Sequence, residues 1–137
     1  SNNEIIAGVI YDPIKDEMFY AEKNNGAFIN NKRIRVSRKK NINYCLFGTG
    51  SSGIKTVQLT TRNSGSAALD MAYVAAGRYD GYFQNNLNLW DIAAGIIIVN
   101  EAGGVVNKIN LSKNDKIKIK ASSISINEKM LEKLKNF

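Results

Sequence analysis

The sequence predicts a layered α/β fold, in which helices pack on β-sheets. Strand-like segments alternate with helix-like segments along the chain, which is the pattern of a layered architecture. One helix-like segment, residues 92–99, is apolar with no polar stripe and must therefore be buried on all sides. A chain of 137 residues that is 44% hydrophobic is also long enough to bury a real core.

The first part of the chain predicts strands joined by tight turns. Residues 5–11 and 17–23 are typical of strands and are separated by a turn at Asp12 and Pro13. Residues 26–37 predict a third extended segment that is folded into a hairpin at Asn30 and Asn31. We expect these segments to lie side by side in one sheet.

The rest of the chain predicts the remaining strands and helices in order. Cys45 lies beside Leu46 and Phe47 in an apolar segment and should be a core residue. The predicted elements are a buried strand at 44–49, a helix at 64–77, a strand at 78–84 that Asn85 and Asn86 break, the buried helix at 92–99 ended by Gly103 and Gly104, a short strand at 105–106, a half-exposed strand at 116–122 and an amphipathic helix at 126–137.

Asp91 is a lone acid at the start of the buried helix, and two roles for it are open. Aspartate is a good N-cap because its carboxylate accepts hydrogen bonds from unpaired amides and suits the helix dipole. It also suits a hard cation such as Mg²⁺, which prefers one or two carboxylates with water and substrate phosphate. The two roles can coexist.

The helix that begins after Ser64 starts with small residues, Gly65, Ser66 and Ala67. Its first amides lack partners within the helix, so they could bind a phosphate or a sugar hydroxyl. The alternative is that Gly65 and Ala67 are small only to allow close helix packing. The sequence leaves both explanations open.

Composition removes several classes of chemistry. The chain has no histidine, which excludes Ser-His-Asp and Cys-His catalysis, histidine zinc sites and histidine general bases. Its single cysteine excludes an intrachain disulfide and makes a reducing cytoplasm the expected location. It has no apolar run of about 18 residues, so we expect no transmembrane helix.

The chain is basic, with a net charge of +7. Such a charge is typical of a solvated surface, of steering toward anionic substrates or of nucleic-acid binding. No aromatic platform is interleaved with the basic run, and no nucleic-acid-binding motif is recognisable. Nucleic acid is therefore the less favoured partner. The densest basic run comprises Arg33, Arg35, Arg38, Lys39 and Lys40.

Three segments resemble one known family. They are GVIYDPIKDEMFYAEKNNGAFINNKRIRVS at 8–37, RNSGSAALDMAYVAAGRYDGYFQ at 62–84 and LWDIAAGIIIVNEAGGVV at 89–106. In this order they resemble the C-terminal half of the inositol monophosphatase family. The pairing of WDIAAG with EAGG is a specific signature of that family.

The resemblance implies a fold, an activity and a division of the chain. The fold would be the family's layered sheet-and-helix sandwich, incomplete in this chain. Residues 1–40 would be the last strands of a first, metal-binding domain, and residues 41–137 a C-terminal substrate-binding domain. The activity would be Mg²⁺-dependent, lithium-sensitive hydrolysis of a phosphomonoester by a homodimer.

The resemblance also implies roles for individual residues. Asp91 would be a metal ligand and would contact the substrate, with Trp90 as its packing neighbour. The substrate would also contact Gln84 and the helix start formed by Gly65, Ser66 and Ala67. Gln84 lies seven residues before Asp91, where animal inositol phosphatases carry a glutamate. A glutamine donates and accepts hydrogen bonds but brings no charge.

The sequence departs from the family in what it lacks. The family's Asp-Pro-Ile-Asp-Gly-Thr motif and an upstream glutamate, which supply most metal ligands, are absent, so the chain alone should be inactive. Residues 12–15, DPIK, imitate the start of the motif but predict only a turn. Between Gly53 and Arg62 the family usually has a helix and a strand, and here only eight residues, IKTVQLTT, remain.

Other functions remain open at this point. The chain could be a catalytically incomplete fragment that works with a partner, or a basic RNA-associated module that keeps the fold. Inositol phosphates, nucleotide bisphosphates and sugar phosphates are all possible substrates, because related folds act on each of them.

Overall fold

The structure is a computed structural model that describes residues 4–51, 58–113 and 115–137. Its three helices are α1 (Ala67–Ala75), α2 (Leu89–Glu101) and α3 (Ile124–Lys133), and a short 3-10 helix spans Ile42–Tyr44. The strands are β1 (Ala7–Asp12), β2 (Glu17–Glu22), β3 (Ala27–Ile29), β4 (Lys32–Ile34), β5 (Phe47–Gly48), β6 (Thr61–Arg62), β7 (Gly81–Leu87), β8 (Gly104–Val106) and β9 (Ile117–Ser123).

The first sheet is an antiparallel meander of β1, β2, β3 and β4 in that order. Asp12 Oδ1 accepts a hydrogen bond from Ile14 N at 3.0 Å, which closes the predicted turn between β1 and β2. Asn30 and Asn31 both have positive φ, at 45° and 74°, as a tight two-residue hairpin requires. The predicted strands and both turns are confirmed.

The second sheet is mixed, with the order β6-β5-β7-β9-β8. β5 pairs in parallel with β6 and β7, whereas β9 pairs antiparallel with β7 and β8. On β9, Ile117 and Ile119 are buried and Lys118 between them is exposed, which confirms the predicted half-exposed strand.

The helices give the molecule its layers. α1 and α2 lie between the two sheets, and α3 packs on the outer face of the second sheet. β7 joins the layers, since Tyr82 points into the cluster with α1 and α2 while Phe83 points toward α3. The layered α/β architecture is as predicted.

Close approach between elements depends on two glycines. A Cβ added at Gly95 would lie 2.8 Å from Met71 Cβ, so the backbone of α2 lies directly against the Met71 side chain of α1. A Cβ at Gly8 would lie 2.7 Å from Ala94 Cα, so β1 lies directly on α2. The central helix is therefore packed on both sides, as its apolar sequence predicts.

Two predicted elements are wrong in detail. β7 does not end at Gln84 but continues to Leu87, because Asn86 adopts a positive φ of 60° and the pairing with β9 shifts there as in a β-bulge. The strand predicted at 44–49 is reduced to the two residues of β5. Its first residue, Tyr44, ends the 3-10 helix instead, which begins with a hydrogen bond from Asn43 N to Asn41 Oδ1 at 3.0 Å.

Two expectations about the organisation of the chain stay predictions. The domain boundary at residue 40 is not decided, because one hydrophobic cluster joins residues of the first sheet, of α1 and α2 and of the second sheet. The shortened segment between Gly53 and Arg62 lies partly outside the described residues, and its last part is the short strand β6. Among the described helices, none is long and apolar enough to cross a membrane.

Candidate active site

Tyr82 marks the point where α1, α2 and β7 meet. Its side chain is fully buried, and its hydroxyl donates a hydrogen bond to Gln84 Oε1 on the same face of β7. Burial raises the pKa of Tyr82, and the negative charges of Asp70 on α1 and Asp91 on α2 raise it further. The phenol is therefore protonated, and the charges of both carboxylates act on it.

Asp91 is the third residue of α2, and Asn88 is the N-cap. Asn88 N donates to Asp91 Oδ2 at 2.9 Å, which is the reciprocal hydrogen bond of a capping box. Lys116 Nζ donates to Asn88 Oδ1 at 2.8 Å and holds the cap from the side of β9. Asp91 thus stabilises the start of the helix, as a cap would. The N-cap itself is Asn88, three residues before it.

Asp91 has the carboxylate chemistry that a hard cation prefers. Its side chain is half-buried, and the capping bond uses Oδ2. Within residues 4–51, 58–113 and 115–137, no three carboxylate or thiol side chains are grouped so that they could hold a metal ion. Asp91 can therefore supply one carboxylate to a cation whose other ligands come from outside these residues.

The start of α1 is a capped turn. Ser66 is the N-cap, and its Oγ accepts from Leu69 N at 3.2 Å. Gly65 N and Ser66 N donate to the side chains of Asn63 and Ser64, at 3.0 and 3.2 Å. Of the predicted substrate-binding amides, those of Gly65 and Ser66 are therefore already engaged, whereas Ala67, as the first helical residue, has no partner within the helix.

Gly65 is not small for the sake of packing. A Cβ at this position would meet no atom within 4 Å, but the residue has a φ of +85°, which disfavours any side chain. The close-packing alternative therefore fails at Gly65. Close packing does explain the small side chain of Ala67, which lies against the hydrophobic cluster.

Gln84 lies half-buried beside Gly50, just after β5. A Cβ at Gly50 would collide with the Gln84 carboxamide, so the glycine makes room for it. Tyr82 occupies Oε1, which leaves the Nε2 donors for a ligand. Next to it, Asn85 N donates to Ser51 Oγ at 3.3 Å.

Sequence reasoning missed Asp70. This residue is 1% exposed on α1, where burial raises its pKa to about 6. Ser64 Oγ donates to Asp70 Oδ1 at 2.6 Å and partly offsets that rise. An acid inside the apolar stretch AALDMAYVA was the available signal, because a buried charge needs a partner or a function.

Two other predicted features lie away from this cluster or differ from expectation. Trp90, expected to pack beside Asp91, is 75% exposed. The basic run 38–40 lies beside the 3-10 helix, where Lys39 Nζ donates to Tyr44 O at 3.1 Å. Tyr44 is 76% exposed, so the run has an aromatic neighbour that the sequence analysis did not recognise.

The fold and this cluster define a class of protein. The class is a layered α/β protein with a carboxylate in the first turn of its central helix and a buried tyrosine on the neighbouring sheet whose pKa that carboxylate raises. The chain belongs to the inositol monophosphatase family, whose sequence model matches residues 1–136. The resemblance noted in the sequence is therefore confirmed.

Individual relatives agree with this assignment. The chain is 35% identical to an inositol-1-monophosphatase of Caulobacter vibrioides over 96% of this chain and 59% of that protein. It is 46% identical to a fructose-1,6-bisphosphatase/inositol-1-monophosphatase of Thermotoga maritima over 77% of this chain and 44% of that protein.

A solved structure is also similar. The extragenic suppressor protein suhB of Bartonella henselae is 42% identical and superposes with a TM-score of 0.89, over 98% of this chain and 60% of that chain. This chain thus spans between 44% and 60% of the length of the three proteins compared.

Proposed function

We propose that this chain is the substrate-binding half of a Mg²⁺-dependent phosphomonoesterase and that Asp91 supplies one ligand to the metal. The observation that carries the proposal is the buried hydroxyl of Tyr82, which donates a hydrogen bond to Gln84 on β7 and is acted on by the charges of Asp70 on α1 and Asp91 on α2. Three separate elements place polar groups at this point, and membership of a phosphatase family gives the cluster a chemical purpose.

Each residue has a distinct task in this proposal. The Asp91 carboxylate is held by Asn88 N, so it meets a cation without rearrangement of the helix. Gln84 offers Nε2 to an oxygen of the alcohol portion, and the Ala67 amide offers another donor. Bound Mg²⁺ in such enzymes supplies an activated water and stabilises the leaving oxygen.

The proposal includes what the resemblance implies for the complete protein. Lithium should inhibit it by displacing a metal, and it should form a homodimer. The substrate is a small phosphorylated alcohol. The names of the relatives include both an inositol monophosphatase and a fructose bisphosphatase, and the neutral Gln84 does not favour either of these substrates.

A chimeric enzyme tests the proposal. The part of the Caulobacter inositol-1-monophosphatase that precedes the match would be fused to residues 4–137, and phosphate release from inositol 1-phosphate would be measured. We expect activity that needs Mg²⁺ and that lithium or a chelator blocks. Asp91→Asn should reduce kcat by at least about a hundredfold, while its amide oxygen keeps the hydrogen bond from Asn88 N and hence the fold.

The matched control is Asp115→Asn, which removes the same charge at an exposed position. It should leave the activity of the chimera unchanged. Full activity of the Asp91→Asn chimera would overturn the metal role. A folded but inactive wild-type chimera would contradict the proposed function as a whole.

A non-catalytic role is the second candidate. It is favoured by the lack of a grouped metal site within the described residues. The 137-residue chain alone should release no phosphate in either case, so only the chimera separates the two candidates. Phosphate release by the chain alone would contradict both.

A further inference from the structure

A concave, positively charged groove lies at the C-terminal end of α2, away from the candidate active site. Its volume is about 430 Å³, and its walls are the loop 35–40, the turn at Ala102 and Gly103, and the first residues of α3. Its lining includes none of the candidate site residues Tyr82, Gln84 and Asp91 and none of the start of α1. Asp91 is the third of the 13 residues of α2, so roughly 15 Å along the helix separates it from the groove at the other end.

Every charged residue that lines the groove is a cation. Arg35, Arg38 and Lys40 all face it, and no acidic side chain lines it. Within the described residues, these three side chains make no ion pair and no hydrogen bond. By contrast, Arg78 is paired with Glu17 at 2.5 Å. All three side chains are exposed, so an anion that enters the groove can reach each of them without first displacing another partner.

The loop that carries these cations is held in place by its backbone. Val36 N donates to Ala102 O at 3.1 Å, and Ser125 Oγ donates to Lys39 O at 2.7 Å. Lys129 Nζ donates to Lys40 O at 2.9 Å. A ligand would therefore find the backbone of the loop already ordered, which lowers the entropic cost of binding.

The groove also has an apolar wall. Ile124 is 66% exposed at its edge, and Val36 and Ala102 line it as well. A volume of this size, with apolar walls and a few polar groups, suits a small organic ligand. The combination of an apolar surface with three cations fits a ring system that carries phosphate groups.

The dipole of α2 is a simpler explanation for these cations, but it accounts for only part of the groove. Cations near the end of α2 offset the negative end of its dipole. One cation would be enough for that effect, and Arg35 lies closest to the turn at Gly103. The dipole explains neither the concavity nor the exposed Ile124.

We propose that this groove is a second ligand site, which takes a nucleotide. Its phosphates would lie on Arg35, Arg38 and Lys40, and its base would lie against Ile124. The site is independent of the phosphatase proposal, because it needs neither a metal nor the residues around Tyr82.

Fluorescence anisotropy of a ribose-labelled ADP, titrated with the 137-residue protein in EDTA, tests the proposal. We expect saturable binding that pyrophosphate and unlabelled ADP both displace. The double variant Arg38→Glu/Lys40→Glu should bind at least about tenfold more weakly, because it removes two charge-assisted hydrogen bonds to the phosphates. The control Lys108→Glu/Lys113→Glu, with the same change of charge at exposed positions, should bind about as tightly as the wild type.

A third variant tests the place of the base. Ile124→Ser should weaken ADP binding about threefold to tenfold, because it removes the apolar contact, and should leave displacement by pyrophosphate unchanged. Equal weakening by both double variants would overturn the groove as the site. Tight binding of single-stranded RNA with no binding of ADP would also overturn it, in favour of a general polyanion surface.

Discussion

At the scale of single residues, buried polar groups explain the chemistry of the site better than the residues that the sequence makes conspicuous. Asp70 is buried between α1 and the strand end at Gly48, where a Cβ would lie 3.1 Å from its Cγ. Only Ser64 Oγ donates to its carboxylate in the described structure. The effect of burial on the pKa of Asp70 therefore outweighs that of this hydrogen bond. The carboxyl proton is held more tightly in the folded state than in the unfolded state.

Asp70 should give the protein a distinctive dependence of stability on pH. The folded pKa is about 6 and the ordinary value is 3.8, so the contribution of Asp70 is fully present below about pH 4 and is lost as pH rises through 6. The difference in unfolding free energy between the wild type and Asp70→Asn should therefore fall by about 2–3 kcal/mol from pH 4 to pH 7.5. Urea unfolding at several pH values measures it.

The control for this prediction is Asp115→Asn. Its carboxyl is exposed, so the difference in unfolding free energy between the wild type and Asp115→Asn should not change with pH. A flat curve for Asp70→Asn as well would show that the carboxyl is not buried in the folded state.

Cys45 offers a second test at the residue scale. It is 3% exposed, and burial, with a smaller contribution from the charge of Asp80, raises its pKa to about 11. A buried, protonated thiol does not attack disulfide reagents. We expect no reaction with Ellman's reagent at pH 8 in the folded protein and complete reaction in urea. Rapid labelling of the folded protein would contradict the core position of Cys45.

At the scale of elements, the contact between α1 and α2 sets the position of the site. Asp70 on α1 and Asp91 on α2 both act on the Tyr82 hydroxyl, and the two helices that carry them approach closely at Gly95 and Met71. The continuation of β7 past Gln84 also helps to set the position of the site. Its bulge keeps Leu87 in the core and delivers the chain to Asn88, the cap of α2.

Gly95→Ala should destabilise the protein by about 1–3 kcal/mol, because the new methyl group would overlap Met71. Met71→Ala should destabilise it by about 2–5 kcal/mol by leaving a cavity. The double variant should lose less than the sum of the two, since the added methyl group partly fills the space that Met71 leaves. Thermal or urea unfolding of the four proteins measures this coupling. Strictly additive losses would contradict direct contact between the two positions.

At the scale of the whole molecule, the first sheet leaves one of its faces uncovered. Val9, Tyr11 and Met18 point away from α2 and are 61%, 48% and 44% exposed. Tyr20 and Phe28 stack on the same face, with 5.4 Å between ring centroids. In the described residues β1 pairs on one side only. The proposed function accounts for this face as the surface on which the metal-binding part of a complete enzyme would lie.

An uncovered apolar face beside a free strand edge should make the isolated chain self-associate. The double variant Val9→Lys/Met18→Lys should shift the chain toward monomer and lower the fluorescence of the apolar dye ANS. Sedimentation velocity and dye binding measure these effects. The core is unaffected because both side chains point outward.

The control for the apolar face is Ile14→Lys/Leu131→Lys. Both positions are exposed, but one lies in a turn and the other on α3. An equal shift in the control would indicate a general effect of charge rather than a property of the first sheet.

Local patterns predicted most of the elements and part of the site. The hairpin at Asn30 and Asn31, the alternation along β9 and the buried central helix all follow from interactions between near neighbours in the chain. Asp91 was recognisable because one acid precedes a fully apolar stretch. The continuation of β7 past Gln84 could not be recognised in the sequence. Asparagine pairs are typical of turns as well as of bulges, and only the pairing with β9 decides between the two.

The layered α/β class, the family and the position of Asp91 could be recognised in the sequence, because periodicity and motifs are carried by residues close together in the chain. Which groups meet in space depends on the packing of distant segments. Asp70, Tyr82 and Asp91 come from three elements, and Arg35 reaches the turn at Gly103 from a distant part of the chain. Such encounters depend on how the sheets pack against α1 and α2, and no local spacing encodes that packing.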